Sequence, residues 1–211
     1  MNETYTNMYN AVIAGDMETT KQEVQSALDK ALPAGEILQE GLIAAMGEVG
    51  RLFEHGDFFV PEMLVSARAM QAALEILRPH LVAADIQPVG KVIIGTVQGD
   101  MHDIGKNLVS MMLEGAGFEV IDLGVDVKPD QMIAAIQQHQ PDLVGMSALL
   151  TTTMPQMQST IEALQSAGLR ASVKVMVGGA PLTQDYADDI GADGYAADAS
   201  QAADLARRLI A

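Results

Sequence analysis

The sequence contains no cysteine and no tryptophan, and aromatic residues make up only 4% of its 211 residues. The lack of cysteine excludes disulfides, thiolate nucleophiles and cysteine-ligated zinc or iron–sulfur sites. Basic residues are also scarce, with 12 Lys and Arg against 28 Asp and Glu, so the formal net charge is -16. Nucleic-acid phosphates and anionic lipid repel so acidic a chain, and we expect neither as a partner.

Long apolar runs are missing as well. No run reaches the roughly 18 apolar residues of a membrane span. The N-terminal residues lack the basic segment and apolar core of a secretory signal peptide, so a cytoplasmic location is expected. Hydrophobic residues still make up 49% of the chain, and 14 residues are methionine. This composition predicts a folded globular protein in which methionine either fills core gaps or lines a large ligand or a moving partner.

Residues 1–84 have the apolar spacing of helices. The predicted helices are Tyr5–Ile13, Met17–Lys30, Glu36–Glu54 and one from about Pro61 to Pro79. Four helices of this size predict a small bundle. Residues 85–90 contain Pro88 and Gly90 and predict a linker. The predicted domains are therefore a helical domain at 1–84 and a second domain at 91–211.

From Lys91 onward, apolar strands alternate with helices. The predicted strands are Lys91–Val97, Phe118–Leu123, Leu143–Ser147, Val173–Val177 and Gly194-Tyr195. Continuous apolar strands separated by helices predict a parallel sheet covered on both faces. The predicted fold class is α/β, with an N-terminal four-helix bundle followed by a flavodoxin-like, Rossmann-like domain of five parallel strands in the order 2-1-3-4-5.

Three loops of this predicted sheet are candidates for ligand binding. In this strand order the loops after strands one and three flank the switch point at which ligands bind. They are Gly99–Lys106, with a histidine between two aspartates, and Ser147–Thr153, which is rich in hydroxyls. Gly178-Gly179 follows strand four, where missing side chains allow a ligand to lie against the backbone. One ligand could contact all three loops.

His102 is the candidate metal ligand of the first loop. Asp100 precedes it by two residues, and metal-bound histidines commonly donate their second N–H to a carboxylate. Asp103 has the plainer possible role of capping the helix that begins at Ile104. A bare structural ion needs about four donors, but the other histidines are scattered at His55, His80 and His139. One histidine therefore favours a metal that brings its remaining ligands with it, as in a macrocycle.

Three motifs carry a resemblance to a known family. Residues 100–105 match the D-x-H-x-x-G signature of cobalamin-binding domains, 147–149 match the accompanying S-x-L, and Gly178-Gly179 matches the later double glycine. The helical part resembles the cap domain of corrinoid methyltransferase proteins at 56–62 and 66–70. Over nearly its whole length, the chain resembles the small corrinoid protein of three-component methyltransferase systems. It is also similar to the cobalamin-binding region of methionine synthase.

The resemblance implies a cobalamin bound in the base-off/His-on form. His102 would be the lower axial ligand of cobalt, Asp100 would bond the other imidazole nitrogen, and Thr153 would stand where the family has a serine that completes this relay. Phe59 and Met63 of the helical cap would shield the upper face of the corrin. The other residues implied to contact the cofactor or its displaced nucleotide are Met101, Asp103, Ile104, Gly105, Ser147, Leu149, Thr151, Gly178, Gly179, Tyr195 and Ala196.

The resemblance also implies a function as a corrinoid methyl carrier, with no independent turnover expected. A substrate-specific methyltransferase would load a methyl group onto the cobalt, and a second methyltransferase would pass it on, towards tetrahydrofolate. A reductive activator of the corrinoid is the third implied partner. A methoxylated aromatic is slightly favoured as the methyl donor, which is an O-demethylase-like role, and methylamine, glycine betaine and methanol are alternatives.

Four other functions are alternatives to the methyl carrier. The cobalamin-binding subunit of a mutase shares the sheet motifs, but the cap-like helices argue against it. A cobalamin sensor that controls transcription needs a DNA-binding module, and the net charge argues against one. A flavodoxin-like receiver needs a phosphorylatable aspartate where strand three ends in Ser147. A flavin protein would use the same sheet, and the colour of the purified protein would distinguish it.

Overall fold

The computed structural model describes residues 3–211, which form two compact units. One unit runs up to Pro88 and includes Glu114–Gly117, and the other comprises Val89–Leu113 and Phe118–Ala211. Helices make up the N-terminal part of the chain, and the second unit contains a sheet of five parallel strands. This architecture confirms the predicted α/β fold class. Within the described part of the chain, no helix is long and apolar enough to cross a membrane.

The N-terminal part is built from helices connected by short turns. Its elements are α1 (Glu3–Ile13), α2 (Met17–Asp29), α3 (Ala34–Glu36), a π-helical segment (Ile37–Ile43), α4 (Ala44–Glu54) and α5 (Val60–Ala83). Local side chains satisfy the backbone at two helix starts. Asp16 accepts the Thr19 N–H at 3.0 Å before α2, and Glu62 accepts the Phe59 N–H at 3.1 Å before α5. Such caps replace the hydrogen bonds that the first turn of a helix lacks.

The π-helical segment was not predicted, because the sequence indicated one continuous α-helix from Glu36 to Glu54. Apolar residues spaced by three and four suit both helix types over a single turn, so the pattern does not distinguish them. Gly41 lies in this segment, and a Cβ there would come within 2.4 Å of the Met8 sulfur of α1. The glycine therefore allows α1 to pack closely against the π-helical turn.

The predicted end of the fourth helix at Pro79 was wrong, since α5 continues to Ala83. Proline was expected to end the helix because it lacks an N–H and clashes with the carbonyl four residues earlier. Only one further turn follows it. That turn is closed by Asp85 in the left-handed region (φ 54°), and the Ile86 N–H donates to the Leu81 carbonyl at 3.0 Å. This C-terminal closure satisfies carbonyls that the shortened turn would otherwise leave unpaired.

Methionine fills much of the core of the first unit. Four side chains are almost completely buried there: Met8, Met46, Met63 and Met70. Since thioether chains adapt to irregular gaps, they pack where other cores use aromatic rings. Phe59, in contrast, is 65% exposed.

The five strands of the second unit form a sheet in the order β2-β1-β3-β4-β5, as predicted. They are β1 (Lys91–Thr96), β2 (Glu119–Asp122), β3 (Leu143–Ser147), β4 (Lys174–Gly178) and β5 (Gly194–Ala196). The pairing is parallel throughout, and Thr96 lies opposite Ser147, Ser147 opposite Gly178, and Gly178 opposite Ala196. The register therefore places the carboxyl ends of four strands in one row.

Helices connect these strands. They are α6 (Ile104–Gly115), α7 (Pro129–His139), α8 (Pro155–Ser166), α9 (Gln184–Asp189) and α10 (Ala199–Ile210). Gly117 follows α6 with φ of 92°, a left-handed conformation that glycine adopts readily at the end of a helix. The strands are buried through residues such as Ile93, Val144 and Val175, which share one core with the apolar sides of the helices. Buried central strands explain why their sequences are continuously apolar.

Candidate functional site

The loop between β1 and α6 is held at both ends by hydrogen bonds. The Val97 N–H donates to the Ser147 carbonyl of the neighbouring strand at 3.0 Å. The buried Thr96 hydroxyl donates to the His102 carbonyl at 2.9 Å. Asp103 is exposed, and its carbonyl accepts the Asn107 N–H at 2.8 Å, which is a hydrogen bond of the first turn of α6. These bonds fix the backbone on either side of His102.

Asp100 lies at the centre of the site, with no exposed surface. Its Oδ1 is 2.7 Å from His102 Nδ1 and also accepts the His102 N–H at 3.1 Å. Its Oδ2 accepts the N–H groups of Leu149 at 2.8 Å and Leu150 at 3.3 Å. The Thr153 hydroxyl donates to the same Oδ2 at 2.7 Å. One carboxylate thus joins the loop after β1 to the loop after β3.

The hydrogen bonds to Asp100 decide its charge. Burial alone would raise the pKa of this carboxyl, but the bonds from Leu149, Thr153 and His102 outweigh it and hold the pKa well below its usual range. Asp100 is therefore ionised at neutral pH and can only accept hydrogen bonds. It follows that His102 carries its proton on Nδ1. The imidazole is then neutral when singly protonated, and its Nε2 keeps a lone pair.

The histidine ring is presented to solvent. Its side chain is 51% exposed, while its Asp100 partner is not exposed at all. No residue in the described range 3–211 bonds its Nε2. A histidine held at one nitrogen and open at the other is the usual arrangement of a metal ligand with its supporting carboxylate.

Thr153 occupies the far end of this chain of contacts. Its Oγ1 lies 2.7 Å from Asp100 Oδ2 and 2.9 Å from the Leu150 carbonyl, so its single proton can be donated to either. The adjacent Met154 carbonyl accepts the Tyr186 hydroxyl at 2.8 Å. The threonine therefore keeps the hydroxyl contact that the resemblance implied for this position, and its extra methyl does not prevent it.

Exposed apolar side chains lie on both of the loops that meet at Asp100. Met101 and Ile104 of the first loop are exposed, as are Leu149 and Leu150 of the second. Thr151 is exposed beside them, and Gly105 has open space where a side chain would be. Exposed apolar groups clustered at the carboxyl end of a parallel sheet are typical of a ligand surface.

The double glycine after β4 packs against its neighbours. A Cβ on Gly179 would lie 1.9 Å from the Ala148 carbonyl oxygen, and the residue has φ of 139°. A Cβ on Gly178 would lie 3.2 Å from the Ala196 carbonyl oxygen. Glycine is thus required at position 179 because the backbone after β3 occupies the space of a side chain. Tyr195 is half-buried beside the buried Ala196 in β5.

Several residues of the site were not predicted. Lys106 is 2% exposed, and its ammonium pairs with the Asp122 carboxylate and donates to Asn107 Oδ1 at 2.7 Å. Asp126 bonds the loop from a third connection, and the amides of Leu149 and Leu150 bind Asp100. A lysine on the buried side of α6 is the one signal the sequence offered. Contacts made by backbone groups, or by residues far apart in the chain, cannot be predicted from a local sequence pattern.

The donor set does not suit a bare metal ion. Among the described residues, no group of three or more His, Cys, Asp or Glu side chains could hold one. A single free imidazole nitrogen beside exposed apolar side chains fits a metal that is held by a macrocycle and needs one protein ligand. The residues present therefore fit a corrinoid.

Comparison with known proteins agrees with this donor set. A family model described as "B12 binding domain" matches residues 90–204, and a second model with that description matches residues 5–78. The chain belongs to the B12-binding family. The resemblance drawn from the three motifs is confirmed, and cobalamin is the cofactor of this corrinoid protein.

Relatives match the chain over nearly all of its length. It is 46% identical over 204 residues to dimethylamine corrinoid protein 1 of Methanosarcina acetivorans, covering 94% of this chain and 96% of the relative. It is 41% identical over 203 residues to a corrinoid protein of Desulfitobacterium hafniense, covering 95% and 94%. The crystal structure of the methanol:cobalamin methyltransferase complex MtaBC from Methanosarcina barkeri matches with a TM-score of 0.88 at 29% identity, covering 99% of this chain and 80% of that one.

These relationships establish the function at a general level. The corrinoid protein is a methyl carrier of methyltransferase systems, and corrinoid proteins of this kind partner with methyltransferases. Phe59 and Met63, which the resemblance placed over the corrin, belong to the first unit. Phe59 is exposed there, and Met63 is buried in that unit's core.

Proposed function

We propose that this corrinoid protein receives its methyl group from a methylated amine through a substrate-specific methyltransferase and delivers it to a second methyltransferase. The observation that carries the role of methyl carrier is the His102–Asp100–Thr153 chain of contacts, with the free Nε2 at its exposed end. When bound, the corrinoid supplies the cobalt that takes up and releases the methyl group. A reductive activator of the corrinoid and tetrahydrofolate as the final acceptor complete the proposed system.

The protein's part is to hold one ligand in one tautomer and one orientation. His102 offers Nε2 as the axial ligand, and Asp100 retains the proton on Nδ1 and fixes the orientation of the ring. The amides of Leu149 and Leu150 and the Thr153 hydroxyl keep Asp100 ionised. An anionic partner makes the imidazole a stronger donor to a metal than a free histidine would be.

The other proposed contacts divide by location. Met101, Ile104 and Leu149 are exposed around His102 and would pack against the apolar parts of the macrocycle. The displaced nucleotide would lie along the carboxyl ends of the strands, and its proposed contacts are Asp103, Gly105, Ser147, Thr151, Gly178, Gly179, Tyr195 and Ala196. Phe59 has the exposed surface that a shield of the upper face requires. Met63, being buried, would support it from within the helical unit.

The proposed donor rests on the names of relatives. The relative from Methanosarcina acetivorans is named for dimethylamine. The one from Desulfitobacterium hafniense is named for no donor, and the matching crystal structure is that of a methanol system. None of these three names supports the methoxylated aromatic that the sequence slightly favoured. Methanol, glycine betaine and a methoxylated aromatic are the alternative outcomes of the assay below.

A methylation assay tests the donor. The holoprotein would be reduced and mixed with a methyltransferase of each class together with that enzyme's own substrate, and methylation of the corrinoid would be followed by visible absorption. We expect methylation with the methylamine class. Methylation with only the methanol or methoxylated-aromatic class would contradict the amine donor and leave the carrier role intact. Failure with every class would contradict the proposed function as a whole.

Absorption of the bound cofactor tests the ligand. His102→Ala should shift the spectrum of bound cobalamin or release the cofactor, because the axial nitrogen is lost. His139→Ala is the matched control, since His139 ends α7 of the same unit. An unchanged spectrum in His102→Ala would rule out the proposed ligand.

A further inference from the structure

Asp126 lies in the connection between β2 and α7, and it makes two hydrogen bonds to the start of the His102 loop. Its Oδ1 accepts the Gly99 N–H at 2.7 Å. Its own N–H donates to the Asp100 carbonyl at 3.0 Å. The two bonds run in opposite directions between the same two segments, so they fix both the distance and the orientation of the loop backbone.

The loop needs such support because its backbone is irregular. Residues 97–103 belong to neither β1 nor α6, and Gly99 has φ of 80°. The bonds that Asp126 makes fall on Gly99 and Asp100, directly before the pair Asp100–His102. The position of the Asp100 carboxylate, and hence the orientation of the imidazole 2.7 Å away from it, follows from where this backbone is held.

The backbone of Asp126 indicates that its side chain matters. The residue has φ of 53°, in the left-handed region that non-glycine residues adopt only at a cost. Glycine would take the same conformation with less strain. The carboxylate offsets that strain with a charge-assisted hydrogen bond to Gly99, of the kind that is stronger than a neutral one.

We propose that Asp126 is a positioning residue for His102: by holding Gly99 and Asp100 it sets the direction in which Nε2 is presented to the cofactor. This role rests on the proposed function of His102 as the cobalt ligand. In this role Asp126 acts through the backbone of the loop between β1 and α6 and not by contact with the metal.

The first test uses the protein without cofactor. Asp126→Gly removes the carboxylate and keeps the left-handed backbone, so we expect the Gly99 amide to exchange its hydrogen about tenfold faster, as the loss of a charge-assisted bond predicts. Asp126→Asn keeps an acceptor oxygen at the same reach and should restore slow exchange. Gln140→Gly is the matched control, because Gln140 is also left-handed (φ 48°) and lies at the end of α7. Residue-resolved NMR measures the exchange.

The second test uses the holoprotein in the cobalt(II) form. In electron paramagnetic resonance the cofactor's own nucleotide base splits each cobalt line in three, whereas an axial nitrogen from ¹⁵N-labelled protein splits it in two. We expect Asp126→Gly to reduce the fraction of protein with this splitting, and Asp126→Asn and Gln140→Gly to retain it. His102→Ala identifies the source of the splitting, which should vanish in that variant. Circular dichroism checks that each variant folds, and Asp126→Ser, with a shorter side chain, replaces Asp126→Gly if that variant does not.

The outcomes separate the two proposals. If His102→Ala keeps the two-line splitting of a protein nitrogen, His102 is not the ligand and both proposals fall. If His102→Ala loses it while Asp126→Gly retains the splitting of the native protein, only the positioning role of Asp126 is overturned, whatever the Gly99 exchange. Loss of the splitting in Asp126→Asn would also overturn that role, because the proposal requires only an acceptor oxygen at this position.

Discussion

Asp100 has no exposed surface, yet its carboxylate is charged. A buried charge is stable only when hydrogen bonds replace the water that it has lost. Here the donors come from the two loops on either side of the switch point, and Leu149, Leu150, Thr153 and His102 all contribute. At the scale of the residue, stability of the loops and presentation of the imidazole therefore depend on the same carboxylate.

Replacing this carboxylate tests the dependence. Asp100→Asn puts an NH₂ group opposite donors that need an acceptor, so at least one buried donor loses its partner. We expect the free energy of unfolding to fall by about 2 kcal/mol, the usual cost of an unsatisfied buried group. Urea denaturation of the protein without cofactor measures it. Asp130→Asn, an exposed change in the first turn of α7, should stay within about 0.5 kcal/mol of native; equal losses in both variants would contradict the argument.

The low pKa of Asp100 gives the protein a pH-dependent stability. Because the folded pKa lies below that of the unfolded chain, about 3.9, the carboxylate contributes its full stabilisation above that value. The contribution is lost as the pH falls below it towards the folded pKa. We therefore expect the difference in unfolding free energy between the native protein and Asp100→Asn to be constant from pH 6 to 5 and to shrink below about pH 4. Urea titrations at each pH would contradict this if the difference grew instead.

Part of the site at this scale was predictable. The resemblance pointed to His102 and Thr153 as neighbours of Asp100, and the structure places all three in contact. The Leu149 and Leu150 amides could not be predicted, since every residue but proline carries such a donor. Asp126 was missed because its partner Gly99 is 27 residues away and the bond depends on one backbone angle.

Helix α6 and strand β2 are joined by an ion pair in which only the ammonium is buried. The Lys106 side chain is 1% exposed and the Asp122 side chain 38% exposed, so the two partners differ in their access to water. At the scale of the element, this pair holds the first turn of α6, which follows the His102 loop, against the end of β2. Because the two partners differ in exposure, we expect replacement of one to lower the free energy of unfolding more than replacement of the other.

Removing the exposed partner should cost more than removing the buried one. Asp122→Asn leaves an ammonium buried without its counter-charge, and we expect a loss of about 3 kcal/mol, the lower end of the cost of breaking a buried pair. Asparagine keeps an oxygen for the Gly124 N–H, which Asp122 accepts at 2.8 Å. Lys106→Met leaves a carboxylate that reaches water, so its cost should stay below about 1 kcal/mol. Thermal or urea unfolding compares them, and the reverse ranking would contradict the argument.

The sequence predicted the helices and strands through their periodicity, with differences confined to particular turns. Apolar spacing placed both limits of α2 and the end of α4 within one residue of those observed. It did not reveal the π-helical turn at Ile37–Ile43, where the packing of Met8 against Gly41 provides information that a single helix does not contain. Nor did it predict the turn beyond Pro79, because that turn is completed by the later residues Asp85 and Ile86.

The whole molecule has far more acidic than basic groups, with a net charge of -16. Charges of one sign repel one another more strongly in the compact state than in the extended chain, and dissolved salt screens that repulsion. The strand order was predictable at this scale from the alternation of five apolar strands with helices, and the three motif loops from their own sequences. The destabilising effect of the net charge can also be predicted from the amino-acid composition alone.

Salt should therefore stabilise the protein. We expect the thermal midpoint of the protein without cofactor to rise when sodium chloride increases from about 0.01 to 0.5 M, as the Debye length falls well below the size of the molecule. Potassium chloride at the same ionic strength should give the same shift, because screening does not depend on the identity of the cation. A midpoint that falls with salt would indicate that attractive ion pairs outweigh the net repulsion. Differential scanning calorimetry measures it.

The row formed by Thr96, Ser147, Gly178 and Ala196 has a consequence for protein engineering. The three motif loops all leave the sheet at one level, so their mutual spacing is set by strand register and not by their own length. A transplant of these loops onto another parallel sheet of the same strand order would need that one row to be matched and a counterpart of Asp126 to hold the first loop. The host's helices and the rest of its strands could keep their own sequences.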